Sequence, residues 1–65
     1  MNDPLEEHLI PLREQLAEAQ LELHRRRSMY PRQVNAARMT QAKADHQIRV
    51  QVAIVETLRK LMSDT

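Results

Sequence analysis

The stretch SMYPRQVNAARMTQAKAD, residues 28–45, decides the fold. It separates two long amphipathic segments and holds Tyr30, the only aromatic residue of the chain. Pro31 lacks an N–H and disfavours the α region at Tyr30, so a helix arriving from the N-terminal side is predicted to end near Ser28 to Tyr30. Pro31 suits the first position of a new helix, and PRQVNAAR then reads as a short helical turn over about residues 31–37. With no glycine in the chain, Asn35 or Arg38 would have to supply a left-handed residue, Asn being sterically easier. Thr40 is a good N-cap for a second long helix over about residues 41–62. Lys43, three residues on, leaves the capping box incomplete. Tyr30, Val34 and Met39 are expected to pack together and close the end of a two-helix core.

Working outward on the N-terminal side, Asp3-Pro4-Leu5-Glu6 has the form of a helix start, with Asp3 as cap, Pro4 in the first position and Glu6 reaching back. Leu5, Leu9, Leu12, Leu16, Ala19 and Leu23 then recur at alternating spacings of four and three. That is the seam of a helix packed along one side, either in a short bundle or in a longer coiled coil. A first helix is expected over about residues 4–28. Pro11 interrupts it at a cost on the order of 3 kcal/mol in a straight helix, so a kink or a separate first turn at residues 4–9 is expected there. Ile10, Ala17 and Leu21 form a second, weaker stripe.

On the C-terminal side, Ala44, Ile48, Val50, Val52, Ile54, Val55, Leu58, Leu61 and Met62 spread over roughly 200° of a helical wheel at 100° per residue. A surface helix ordinarily shows an apolar stripe nearer 100°. One neighbouring helix cannot cover the wider arc. The expected architecture is therefore all-α: an antiparallel hairpin of long helix, short helical turn and long helix, forming one domain over residues 1–65. Two such hairpins would pair into a dimeric four-helix bundle. Val50, Ile54, Leu58 and Leu61 are the expected dimer interface, while Ala44, Ile48, Val55 and Met62 face the first helix, although the two sets could be exchanged. Gln47 and Gln51 fall inside the arc and need partners if buried. Asp45–Arg49 and Glu56–Lys60 have the acid-first spacing of i,i+4 pairs.

Composition agrees with helices. Gly and Cys are absent, and 65 residues allow a single, marginal core that buries about 60% of the unfolded surface. The lack of cysteine removes disulfides and thiolate zinc sites and fits a reducing compartment, hence a cytoplasmic location. No apolar run approaches the roughly 20 residues needed to span a bilayer, and no signal peptide is visible. The net charge of +1 hides an asymmetry. Residues 1–22 sum to −5 and residues 23–44, with Arg25, Arg26, Arg27, Arg32, Arg38 and Lys43 and no acid, sum to +6. The hairpin should carry a basic tip.

Catalytic patterns are thin. There is no cysteine nucleophile and no glycine-rich phosphate loop, and Ser28 and Ser63 lack a base at motif spacing. His8, His24 and His46 form no metal motif; His24 and His46 could approach near the tip, but solvated or packing histidines are the simpler reading. Glu14, Glu18 and Glu22 share one helical face and read as a solvated surface, because a small hairpin is expected to offer no cleft that would shift their pKa values. No catalytic residue, cofactor or metal is therefore expected. The basic tip, with Arg25, Arg26, Arg27, Tyr30, Arg32 and Arg38, is the expected partner-binding surface. An acidic protein surface is the leading partner. The alternatives are a nucleic-acid backbone contacted by the same residues, with Tyr30 the only base-stacking candidate, and a merely solvated tip.

Arg25–Arg27, Tyr30-Pro31-Arg32, Val34, Arg38-Met39-Thr40, Ala44-Asp45, Ile48 and Ala53-Ile54, together covering about residues 22–61, resemble a pattern in small helical proteins of tailed phages and prophages. Those proteins often carry Gly just before the Arg or Lys of the bend, where this chain has Ala37. The resemblance implies a phage origin and no established activity. It also implies binding to, and inhibition of, a host protein, in the host cytoplasm.

Overall fold

The computed structural model describes residues 9–64. Among them are two α-helices, α1 (Leu12–Asn35) and α2 (Gln41–Asp64), packed on each other as an antiparallel hairpin. The expected all-α hairpin is the fold. Two cross-helix hydrogen bonds fix its sense: Gln51 of α2 reaches Ala19 of α1, while Arg26, further along α1, reaches Gln47, further back on α2.

The first helix differs from expectation at both prolines. Pro11 lies outside α1 as its N-cap, with φ −57° and ψ 146°. A proline there disfavours the helical region at Ile10, and inside a helix its ring would clash with the carbonyl four residues back, so α1 starts after it and is not kinked by it. Pro11 supplies no side-chain cap. Its carbonyl accepts from the backbone N–H groups of Glu14 and Gln15 at 3.0 and 3.2 Å, and the Gln15 side-chain amide donates to the Ile10 carbonyl at 2.9 Å. The start expected at Asp3, Pro4 and Glu6 lies outside the described residues.

At the other end α1 does not stop at Tyr30; it runs through Pro31 to Asn35, so the separate short helix of residues 31–37 does not exist. Pro31 forfeits one bond, to the Arg27 carbonyl. Pro31 and Arg27 are both exposed residues, on the side of α1 away from α2. The turn beyond is held by packing: Leu12, Leu16, Ala19, Leu23, Arg26, Tyr30 and Gln33 follow at spacings of 4, 3, 4, 3, 4 and 3, and each is buried or half-buried. The leucine seam thus continues past the proline, and among the described residues it begins at Leu12, since Leu9 is 75% exposed; Leu5 lies outside them.

The helix ends in a Schellman motif. The N–H of Ala37 donates to the Val34 carbonyl at 3.0 Å, and that of Arg38 to the Gln33 carbonyl at 2.9 Å. The left-handed residue is Ala37, at φ 57°, and not Asn35 or Arg38. With Asn35 as the last helical residue and Ala36 as cap, the motif puts the positive φ at the next position whatever side chain stands there. Thr40 caps α2 as expected: its Oγ1 accepts from the Lys43 N–H at 3.1 Å. Tyr30, Val34 and Met39 are each half-buried at this closed end.

On α2 the residues facing α1 are Ala44, Ile48, Gln51, Val55 and Leu58, again at spacings of 4, 3, 4 and 3. Ala19, Ala44 and Val55 are the buried apolar residues of the described chain. Gln51, 5% exposed, donates from Nε2 to the Ala19 carbonyl at 2.9 Å. That carbonyl has a second lone pair free beside its helical bond, and the alanine side chain lets α2 come close enough to use it.

Candidate interaction surfaces

The basic tip is built by the last three turns of α1 and the bend. Arg25, Arg27, Arg32, Arg38 and Lys43 are all exposed. None of the five takes part in an ion pair within the described residues, where the one salt bridge joins Arg26 Nε to Glu22 at 3.1 Å. Arg25 and Arg32 are seven residues apart, so they stand on the same side of α1, about 10 Å apart along its axis. Two members of the expected set are placed otherwise. Arg26 lies on the seam, and its guanidinium also donates to the Gln47 carbonyl at 3.0 Å, so it ties the helices together. Tyr30 is half-buried on the same seam.

The charged face of α2 also differs from expectation. The Asp45 carboxylate accepts from the Gln41 amide at 2.8 Å, and Arg49 Nε reaches only the Asp45 backbone carbonyl, at 3.5 Å. Neither Asp45–Arg49 nor Glu56–Lys60 forms an ion pair. His24 and His46 are both exposed. His46, two residues from both Ala44 and Ile48, stands on the side of α2 away from α1. His8 lies outside the described residues. No cluster of three or more metal-ligating side chains occurs among the described residues.

The second surface is apolar. Val50, Ile54 and Leu61 remain 40, 43 and 46% exposed, whereas Ala44, Ile48 and Val55 turn toward α1, and half-buried Leu58, expected in the dimer interface, lies on the α1 side with them. Met62, expected to face α1, is 37% exposed near the end of the helix. Ile10, just before α1, and Ala17 and Leu21 on it are exposed. Between the helices runs an open groove of about 630 Å³, with Ile54 and Leu58 along one side and Gln15, Glu18 and Glu22 along the other. It is an open trough on the surface rather than an enclosed cleft, and Glu14 and Glu18 along it are exposed. The residues lining it include carboxylates but no histidine, serine or cysteine.

Fold and surfaces together define a two-helix hairpin with a cationic closed end and an uncovered apolar flank. No protein-family model matches the chain, and no curated protein or solved structure matches it. No helix among the described residues is long and apolar enough to cross a membrane.

Proposed function

We propose that this chain is a non-enzymatic interaction protein that dimerises through the outward face of α2 and docks on an acidic protein surface through its tip. The carrying observation is the group Arg25, Arg27, Arg32 and Arg38, exposed and without an ion pair among the described residues. Residues 23–44 contain no acidic side chain to neutralise it. The single-layer hairpin, with three buried apolar residues, supports the dimer, because a stable domain ordinarily stacks two layers around its core. The phage-like sequence pattern supports a host protein as the target and the host cytoplasm as the location. A protein partner is favoured over nucleic acid because Tyr30 sits half-buried on the seam, where a base cannot stack on it freely.

The test compares two fluorescent probes, a polyglutamate peptide and a random-sequence DNA duplex, at about 50 mM salt, where surface charges are weakly screened. The peptide is expected to bind, and Arg25→Glu/Arg32→Glu/Arg38→Glu to weaken it by at least about tenfold with helicity unchanged. Arg26 is left intact so that the hairpin stays closed. Micromolar binding of the duplex with a steep salt slope, and none of the peptide, would instead establish a nucleic-acid protein. Binding of neither probe would reduce the tip to a solvated surface.

A further inference from the structure

We propose that the open trough between α1 and α2 is a docking site for a cationic amphipathic helix of another protein. Ile54 and Leu58 take the apolar stripe of that helix, and the Glu14 and Glu18 carboxylates take lysines or arginines along its margin.

The two walls of the trough differ in kind. On α2, Ile54 is 43% exposed and the half-buried Leu58 follows one turn on, so an aliphatic ledge faces the opening. On α1, Glu14, Glu18 and Glu22 recur every fourth residue. They form one row about 12 Å long, at 1.5 Å of rise per residue. Ala19 and Gln51, bonded to each other across the helices, lie between the walls.

Charge names the occupant. Glu22 has its cation in Arg26, at 3.1 Å. Glu14 and Glu18 are exposed and take part in no ion pair among the described residues, and no lysine or arginine lines the trough. Carboxylates four residues apart on a helix repel each other. Cations laid along the row relieve that repulsion, while an apolar stripe beside them covers Ile54. A purely apolar partner would leave the row unpaired, and a purely basic one would leave the ledge wet.

The backbone decides the form of the partner. Both walls are α-helices, so the trough has no open strand edge for an extended peptide to join. The occupant must satisfy its own N–H and C=O groups, and a helix does so. A helix also supplies the matching repeat. Its residues four apart share a face at about 6 Å along the axis, as Glu14 and Glu18 do, and Ile54 and Leu58. Ile54 belongs as well to the flank of α2 assigned above to the homodimer, so the helix and a second copy exclude each other there. The inference rests on neither the homodimer nor the tip.

The probe is a fluorescent leucine–lysine peptide of about 18 residues, five helical turns, with its leucines on one face. One control peptide has glutamate for every lysine. Another has the same composition in scrambled order and no apolar stripe. Binding is read by fluorescence anisotropy at about 50 mM salt. The chains are the parent and Val50→Ser, which weakens the outward flank without altering the residues that line the trough. The ordered lysine peptide is expected to bind at least about tenfold more tightly than the scrambled one. Glu14→Gln/Glu18→Gln keeps the shape of both side chains and should weaken it by about fivefold or more, with helicity unchanged. Arg25→Gln/Arg32→Gln, at the tip, should not weaken it. Equal binding by the parent and the Glu14→Gln/Glu18→Gln chain, or of the ordered and scrambled peptides, would overturn the inference. So would a preference for the glutamate peptide, which places binding at the tip, or no binding by either the parent or Val50→Ser. A parent dimer that takes no peptide and that Glu14→Gln/Glu18→Gln dissociates, read by sedimentation equilibrium, would give the trough to a second copy and overturn it too.

Discussion

Ala37 is where the hairpin stores strain. Its φ of 57° is a conformation in which Cβ crowds the following carbonyl, a cost of roughly 1–2 kcal/mol for an alanine. The two Schellman hydrogen bonds and the capped start of α2 hold it there. Glycine has no Cβ, so Ala37→Gly is expected to raise stability by about 1 kcal/mol, allowing for glycine's greater freedom when unfolded. For a domain of this size that is a rise in Tm of roughly 4–8 °C at fixed protein concentration, read by circular dichroism. A fall in Tm would mean that the bend does not need a left-handed residue at this position. That some residue without glycine's freedom must turn left was legible, because the chain has no glycine and must reverse. Which residue was not, because its identity depends on where α1 ends. Steric preference alone favoured Asn35, and the position of the cap overrode it.

At the scale of the elements, α1 is one helix because its seam outweighs its proline. Pro31 looks decisive when its cost of about 3 kcal/mol is weighed alone. The bond it forfeits lies on the exposed side of α1, however, and Arg26, Tyr30 and Gln33 keep the four–three spacing across it. The seam was legible from Leu12 to Leu23, where leucines mark it. It was hidden beyond, because an arginine within a run of three reads as surface. Arg26 bonds Glu22 on its own helix and the Gln47 carbonyl on the other, with its side chain 21% accessible. A charge-assisted bond to a carbonyl contributes about 1.5–3 kcal/mol when dry, and solvent at this site brings the expected loss for Arg26→Ala to about 1 kcal/mol. Arg27→Ala, one residue away on the wet side, should change stability by no more than about 0.5 kcal/mol. Urea unfolding of the two variants separates them. Equal midpoints would show that the Arg26–Gln47 bond contributes nothing to closing the hairpin.

At the scale of the whole molecule, the apolar surplus of α2 was legible as an arc too wide for one neighbour. The helices divide it much as its spacing suggests, with Ala44 and Val55 inside and Val50, Ile54 and Leu61 outside. The groove beside α1 was not legible, since it depends on how far apart two helix surfaces stand, and small residues such as Ala19 set that distance without marking it in a pattern. The proposed homodimer makes a sharp prediction at Ile54, near the centre of the exposed stripe. A carboxylate there would face the partner's apolar side chains, and burying it without a cation is unfavourable. Ile54→Glu also forfeits about 2–3 kcal/mol of apolar burial, so the dimer dissociation constant should rise by at least roughly a hundredfold. Because a 65-residue chain with so thin a core is marginal by itself, the dissociated hairpin should lose helicity as it separates. Arg59→Glu, on the opposite side of α2 at 100° per residue, is the control and should leave mass and helicity unchanged. Sedimentation equilibrium and circular dichroism across micromolar concentrations read both variants. An Ile54→Glu chain with unaltered mass and unaltered helicity would show that this flank takes no part in assembly and stays in water.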